Sequence, residues 1–171
     1  LETEHIPADV LDRVADVTRL RPGASVLRTI QDRATHKTFL DQLGVAQARW
    51  CAVASADEVA DIVRAWGPSI IKARRHGYDG KGQARVAAPE HARDGWTQIA
   101  GAAAVTESVV PFVRELSVVL ARGVAGEIAV YALAHNEHRN HILHTTVAPA
   151  SALAGTVTRS RPSSTPMPLT R

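Results

Sequence analysis

Three stretches of the chain concentrate residues able to do chemistry. The first runs Lys72-Ala-Arg-Arg-His-Gly-Tyr-Asp-Gly-Lys-Gly-Gln83, with three glycines within six residues after an apolar run that ends in a lysine. Glycine removes the Cβ that would block an anion from backbone N–H groups, so such a loop suits phosphate. The spacing is neither the P-loop nor the dinucleotide fingerprint, both of which lead into a helix. The competing reading is a plain hairpin turn, for which Asp79-Gly80 is a common signal.

The second stretch is Glu107-Ser108-Val109-Val110-Pro111-Phe112, followed by Arg114-Glu115. Extended backbone there can offer N–H and C=O groups to a nucleobase edge, and a carboxylate a few residues on can accept from sugar hydroxyls. A solvated Glu–Arg pair at a strand start is the plainer alternative. The third stretch, His135-Asn-Glu-His-Arg-Asn-His-Ile-Leu-His144, has histidines at every third position. That spacing fits neither a strand face nor an i, i+4 helical zinc site, and no cysteine lies nearby, so polar residues on a turn facing a polar ligand are expected instead. Cys51 is the only cysteine. It permits no internal disulfide and reads as a small core residue rather than a nucleophile.

The elements that must position these residues follow from periodicity. Ile30 to Leu43 reads as one amphipathic helix ending at Gly44. Ser55, with Glu58 three residues on, opens a capped helix that runs to Trp66 and stops at Gly67-Pro68. Strands are expected at Ser69 to Ala73 and Ala84 to Ala88, forming a hairpin around the glycine loop. A helix from about Pro89 to Ile99 and a strand from Ala104 to Val110 follow. Beyond Pro111 come three β-branched runs, RELSVVLARG, EIAVYALAH and HILHTTVAPA, the first two joined by a hairpin at GVAGE. The expected class is α+β: two lobes of mostly antiparallel sheet with helices, divided near residue 111.

Composition narrows the class. A chain of 171 residues, 45% hydrophobic and 22% charged, is ordinary for a globular protein. The pI near 9.5 invites a nucleic-acid reading. However, Arg159, Arg161 and Arg171 account for the whole excess, leaving 17 bases against 17 acids in the first 150 residues. Nucleic-acid arms are denser in Lys and Arg than this segment, so no nucleic acid is expected. Residues 151–171, rich in Ser, Thr, Pro and Arg, are expected to be a disordered tail. No run approaches the roughly 20 apolar residues of a membrane span, and the first residues lack signal-peptide character. The expectation is a cytoplasmic protein with no membrane contact.

Taken in order, the strings QDRATHK, IIKARRHGYDGKGQ, VPFVRELSVVLARG, HNEHRNHILH and TTVAPA resemble the N5-carboxyaminoimidazole ribonucleotide synthetases, an ATP-grasp family, over about residues 1 to 150. The resemblance implies an ATP-grasp fold with an incomplete large lobe: residues 1–25 ending a preceding nucleotide-fold domain, a small lobe from 26 to about 110, and the start of a large lobe at 111–150. It implies ATP as cosubstrate, with Arg33 and Lys72 at its phosphates and Gly77, Tyr78, Asp79, Gly80, Lys81, Gly82 and Gln83 as the closing loop. Glu107, Ser108, Val109 and Val110 would hold adenine by backbone, Glu115 the ribose, and His138 would line the nucleotide site.

The implied reaction is carboxylation of aminoimidazole ribonucleotide with bicarbonate, through carboxyphosphate, in purine biosynthesis. No single residue is marked as catalytic, and homodimers are allowed among family members. Magnesium is implied too, but the family's acidic metal ligands and its NE-x-APR-x-HNSGH string have no counterpart here, and His141 stands where the family has glycine. The chain is therefore expected to be a fragment inactive by itself. The alternatives are a non-catalytic nucleotide-binding module and another ATP-grasp carboxylate–amine ligase.

Overall fold

The computed structural model describes residues 5–77, 81–139 and 142–150. Tyr78, Asp79, Gly80, His141 and the tail 151–171, all named above, lie outside the described residues. The chain divides into two units, Leu1–Pro111 and Phe112–Arg171.

The first unit begins with three helices, α1 (Ala8–Val17), α2 (Ala24–Ile30) and α3 (Arg33–Gln42). The helix expected from Ile30 to Leu43 is α3, which starts three residues later than expected, Ile30 being the last residue of α2. The apolar spacing runs on, but Asp32 interrupts the backbone by accepting from the amides of Ala34 at 3.0 Å and Thr35 at 3.3 Å as the N-cap of α3. Gly44, after the C-terminus of α3, has φ +67 as expected of a left-handed terminator.

Next come β1 (Trp50–Val53), α4 (Ala56–Trp66), β2 (Ser69–Ala73), β3 (Gln83–Val86), a 3-10 turn at Pro89–His91, α5 (Ala92–Gln98) and β4 (Ala104–Ser108). The cap of α4 forms as its sequence predicts: Ser55 Oγ accepts from the Glu58 amide at 3.2 Å. Glu58 itself reaches back to the Ala54 amide at 2.7 Å, one residue before the position a capping box uses. Gly67, at φ +83, closes the helix.

The four strands form one antiparallel sheet in the order β1-β4-β2-β3. Strand alternation sorts its two faces. On one face Val53, Ile71, Ala84, Val86 and Ala104 pack with Val59 and Val63 of α4, Ala92 of α5 and Ile99 into the core, with Ile71, Val59 and Val86 at 0% exposure. The opposite face carries Trp50, Lys72, Val105 and Glu107, and α3 packs against β4 there.

The second unit contains β5 (Glu115–Ser117), β6 (Leu120–Arg122), β7 (Ile128–Val130), β8 (Ala134–Arg139) and β9 (Ile142–Val147). Strands β5, β8 and β9 form one antiparallel sheet in that order, and β6 and β7 form the hairpin expected at GVAGE. The run RELSVVLARG is therefore two strands in different sheets rather than one. The histidine stretch also departs from expectation: His135 and His138 lie in β8 and His144 in β9, not on a turn. The register shifts at Glu137/His138, where Glu137 faces Thr145 while His138 faces Leu143, leaving His144 as the extra residue of β9.

Candidate functional site

The core-opposed face of the first sheet brings together charges that the sequence separates by up to 70 residues. Lys72 and Glu107 sit diagonally on neighbouring strands, Lys72 opposite Val105 and Glu107 opposite Ile70. The Lys72 ammonium lies 3.1 Å from Glu107 Oε2. From α3, Lys37 approaches the other oxygen, Oε1, at 3.4 Å. The three side chains keep only 24%, 13% and 14% of their exposure for Lys72, Glu107 and Lys37. Two cations and one carboxylate give this partly buried cluster a net charge of +1.

Strand β2 leads from Lys72 into the glycine loop, whose described ends pinch together. Gln83 pairs with Lys72 in register, and the Ala73 amide donates to Gly82 O at 2.7 Å. Gly82 has φ +70, a conformation that favours glycine. At Gly77 a Cβ would stand 3.0 Å from the Arg33 guanidinium and 3.2 Å from Lys81 O, so any side chain there would make Arg33 and the loop backbone give way by a few tenths of an ångström. Arg33 Nε donates to Ala73 O at 3.1 Å and the Arg33 amide to Arg74 O at 2.9 Å, which ties the start of α3 to the end of β2.

Arg33 also lines a cavity of about 380 Å³ with Gln31, Arg74, Arg75, His76 and Gly77. Asp32 sets part of its charge: Arg74 Nη2 and Arg75 Nε lie 2.9 Å and 3.3 Å from Asp32 Oδ2. Burial pushes the Asp32 carboxyl up. The bond to Arg74, the amides of Thr35 and Ala34 and the Arg74 charge outweigh it, and the group lies below the ordinary carboxylate value. A wall with three arginines, two of them paired with Asp32, can receive an anion.

Of the segment expected to face adenine, Ser108 and Val109 have committed their amides, to Arg49 O at 2.9 Å and Pro68 O at 3.3 Å. In the second unit, His138 Nδ1 is 3.4 Å from Glu115 Oε2. Both line a separate hollow that includes Phe112, Arg114, Asn136 and Arg139. Cys51 is half-buried in β1, where burial pushes its thiol up, in keeping with a core role.

Lys37, Arg74 and Arg75 were not singled out by sequence reasoning. The QDRATHK string contains Lys37, but only the packing of α3 on the sheet gives that lysine a carboxylate. Among the described residues no group of three His, Cys, Asp or Glu is placed to hold a metal, so these side chains do not fit magnesium.

An ATP-grasp domain model matches residues 38–161. The N5-carboxyaminoimidazole ribonucleotide synthase of Brucella melitensis is 36% identical over 163 residues, 94% of this chain and 45% of its own length. That of Vibrio cholerae is 37% identical over 150 residues, 83% of this chain and 40% of its own length. Among solved structures, the Staphylococcus aureus N5-carboxyaminoimidazole synthetase complexed with ADP superposes with a TM-score of 0.82 at 30% identity, over 87% of this chain and 40% of that one. The chain spans less than half the length of each of these relatives.

Proposed function

The chain belongs to the ATP-grasp family, a family of ATP-dependent ligases, and on that premise we propose that its first unit holds the phosphate chain of ATP for the carboxylation of 5-aminoimidazole ribonucleotide with bicarbonate in purine biosynthesis. The activity is assigned to the whole protein, of which these 171 residues correspond to less than half of the relatives' length. The observation that carries the reading is the Lys72–Glu107–Lys37 cluster, with its surplus positive charge, at the foot of the glycine loop.

In this reading Lys72 and Arg33 neutralise phosphate oxygens, and the Gly77 to Gln83 loop closes over them. Phosphoryl transfer asks a protein for positioning and charge neutralisation more than for covalent chemistry, and these residue types supply both. Loop closure would also keep water from a hydrolysable intermediate. Adenine would be met by the segment Glu107 to Val110. Because the Ser108 and Val109 amides are committed and Glu107 is paired within the sheet, the Val110 amide and the carbonyls of Val109 and Val110 are the groups assigned to the base. Glu115 takes the ribose hydroxyls and His138 lines the same nucleotide. A cytoplasmic enzyme is part of this reading, and no helix among the described residues is long and apolar enough to cross a membrane.

Calorimetric titration with ADP tests the assignment. Lys72→Met removes one charge-assisted contact worth about 1.5 to 3 kcal/mol and should weaken binding roughly ten-fold or more. Binding by the wild type with no change in Lys72→Met, melting curves being equal, would remove Lys72 from the site.

A further inference from the structure

Lys37 is fixed more firmly than a surface lysine would be. Its ammonium is 3.4 Å from Glu107 Oε1 and 3.5 Å from Gln47 Oε1, and it stands 5.8 Å from the centroid of the Trp50 ring. Gln47 is itself held by the Lys37 carbonyl at 2.9 Å and Asp41 at 2.6 Å, and Asp41 also accepts from the Trp50 indole at 2.9 Å. A small polar scaffold therefore aims Lys37 at one oxygen of Glu107, while Lys72 takes the other.

A carboxylate beside a phosphate site poses a problem. It competes with phosphate for Lys72, and if it loses that partner it becomes an uncompensated, largely buried negative charge next to an incoming anion. Lys37 answers both difficulties, because Glu107 keeps one counter-ion whichever way Lys72 turns. We infer that Lys37 is a positioning residue for nucleotide binding: it holds Glu107 neutralised so that the Lys72 ammonium is free to move onto a phosphate oxygen. The inference rests on the phosphate reading of Lys72. Lys37 acts through Glu107 and need not touch the nucleotide.

The test is a double-mutant cycle on the 171-residue chain, read as ADP affinity by calorimetry. Lys37→Met should weaken ADP about five- to ten-fold, roughly 1 to 1.4 kcal/mol by the usual conversion. Lys37→Arg should recover most of that loss. The decisive comparison is made with Glu107→Gln, which removes the charge that Lys37 serves: Lys37→Met/Glu107→Gln should bind ADP as Glu107→Gln alone does. Lys37→Gln replaces the methionine variant if that one fails to fold. An equal loss in both Glu107 backgrounds would mean that Lys37 acts by another route and would overturn the inference. Wild-type affinity in Lys37→Met, with Lys72→Met weakened, would overturn it while leaving the phosphate reading intact. No ADP binding by the wild type would sink both.

Discussion

The two units are built from similar strand-forming sequence, yet only one of them buries it. In the first, helices cover both faces of a four-stranded sheet, and Ile71, Val59, Val86 and Val105 are fully buried. In the second, Val113, Leu120, Val130, Ile142 and Leu143 remain more than half exposed, and Ala134 is the buried hydrophobic among the described residues. Alternation of β-branched residues is enough to pair strands, but a core needs a second layer to close on. Side chains of the Lys72–Glu107–Lys37 cluster are therefore aimed by packing, whereas Glu115 and His138 meet on strands with little beneath them.

The comparison can be broken first by stability. Ile71→Ala should cost about 2 to 5 kcal/mol by cavity formation, while Leu143→Ala in β9 should stay within about 0.5 kcal/mol, as read by urea unfolding of the same chain. Similar losses at both positions would show that the second unit has a core after all. The next largest contrast is functional. Lys72→Met should weaken ADP roughly ten-fold, and Glu115→Ala should weaken it less and leave free triphosphate unaffected, because its assigned partner is the ribose. A Glu115 effect equal to that of Lys72, or one that extends to free triphosphate, would contradict the ribose assignment.

A smaller effect is expected at the α4 cap, where Ser55→Ala removes the acceptor of the Glu58 amide and should cost about 1 kcal/mol. The smallest is a pH dependence. Asp32 has a folded-state value below its unfolded one, so its contribution to stability is complete above the ordinary carboxylate value, about pH 4, and is lost as pH falls through the lower folded value. Asp32→Asn should flatten that acid limb of the melting curve. A limb of unchanged slope would assign the acid sensitivity to other carboxylates.

What could be read from the sequence was set by how local its signals are. The α4 boundaries rest on Ser55, Glu58 and Gly67-Pro68, all adjacent to the helix they delimit, and the strand Ser69–Ala73 follows at once. The break before α3 was not legible from periodicity, because it depends on Asp32 capping in a setting where Arg33 donates to Arg74, a contact across 41 positions of sequence. The histidines misled because a spacing of three places successive side chains on opposite faces of a strand, which argues against a one-faced cluster but not against the strand itself. Lys72 and Glu107 were legible as candidates by type and position. Lys37 was not, since nothing in a helical lysine announces that its helix will lie across a carboxylate on the fourth strand to follow it.

The order β1-β4-β2-β3 has a kinetic consequence. Strand β4 is the last of the four to be made and sits between the first two, so Glu107 reaches Trp50 and Ile70 only through contacts distant in sequence. The β2–β3 hairpin and α4 can form early, but the charged face has no carboxylate until β4 inserts. Until β4 is in place α3 has no strand of the sheet to pack on and Lys72 no carboxylate partner, so the charged face is expected to assemble late in the folding of the unit.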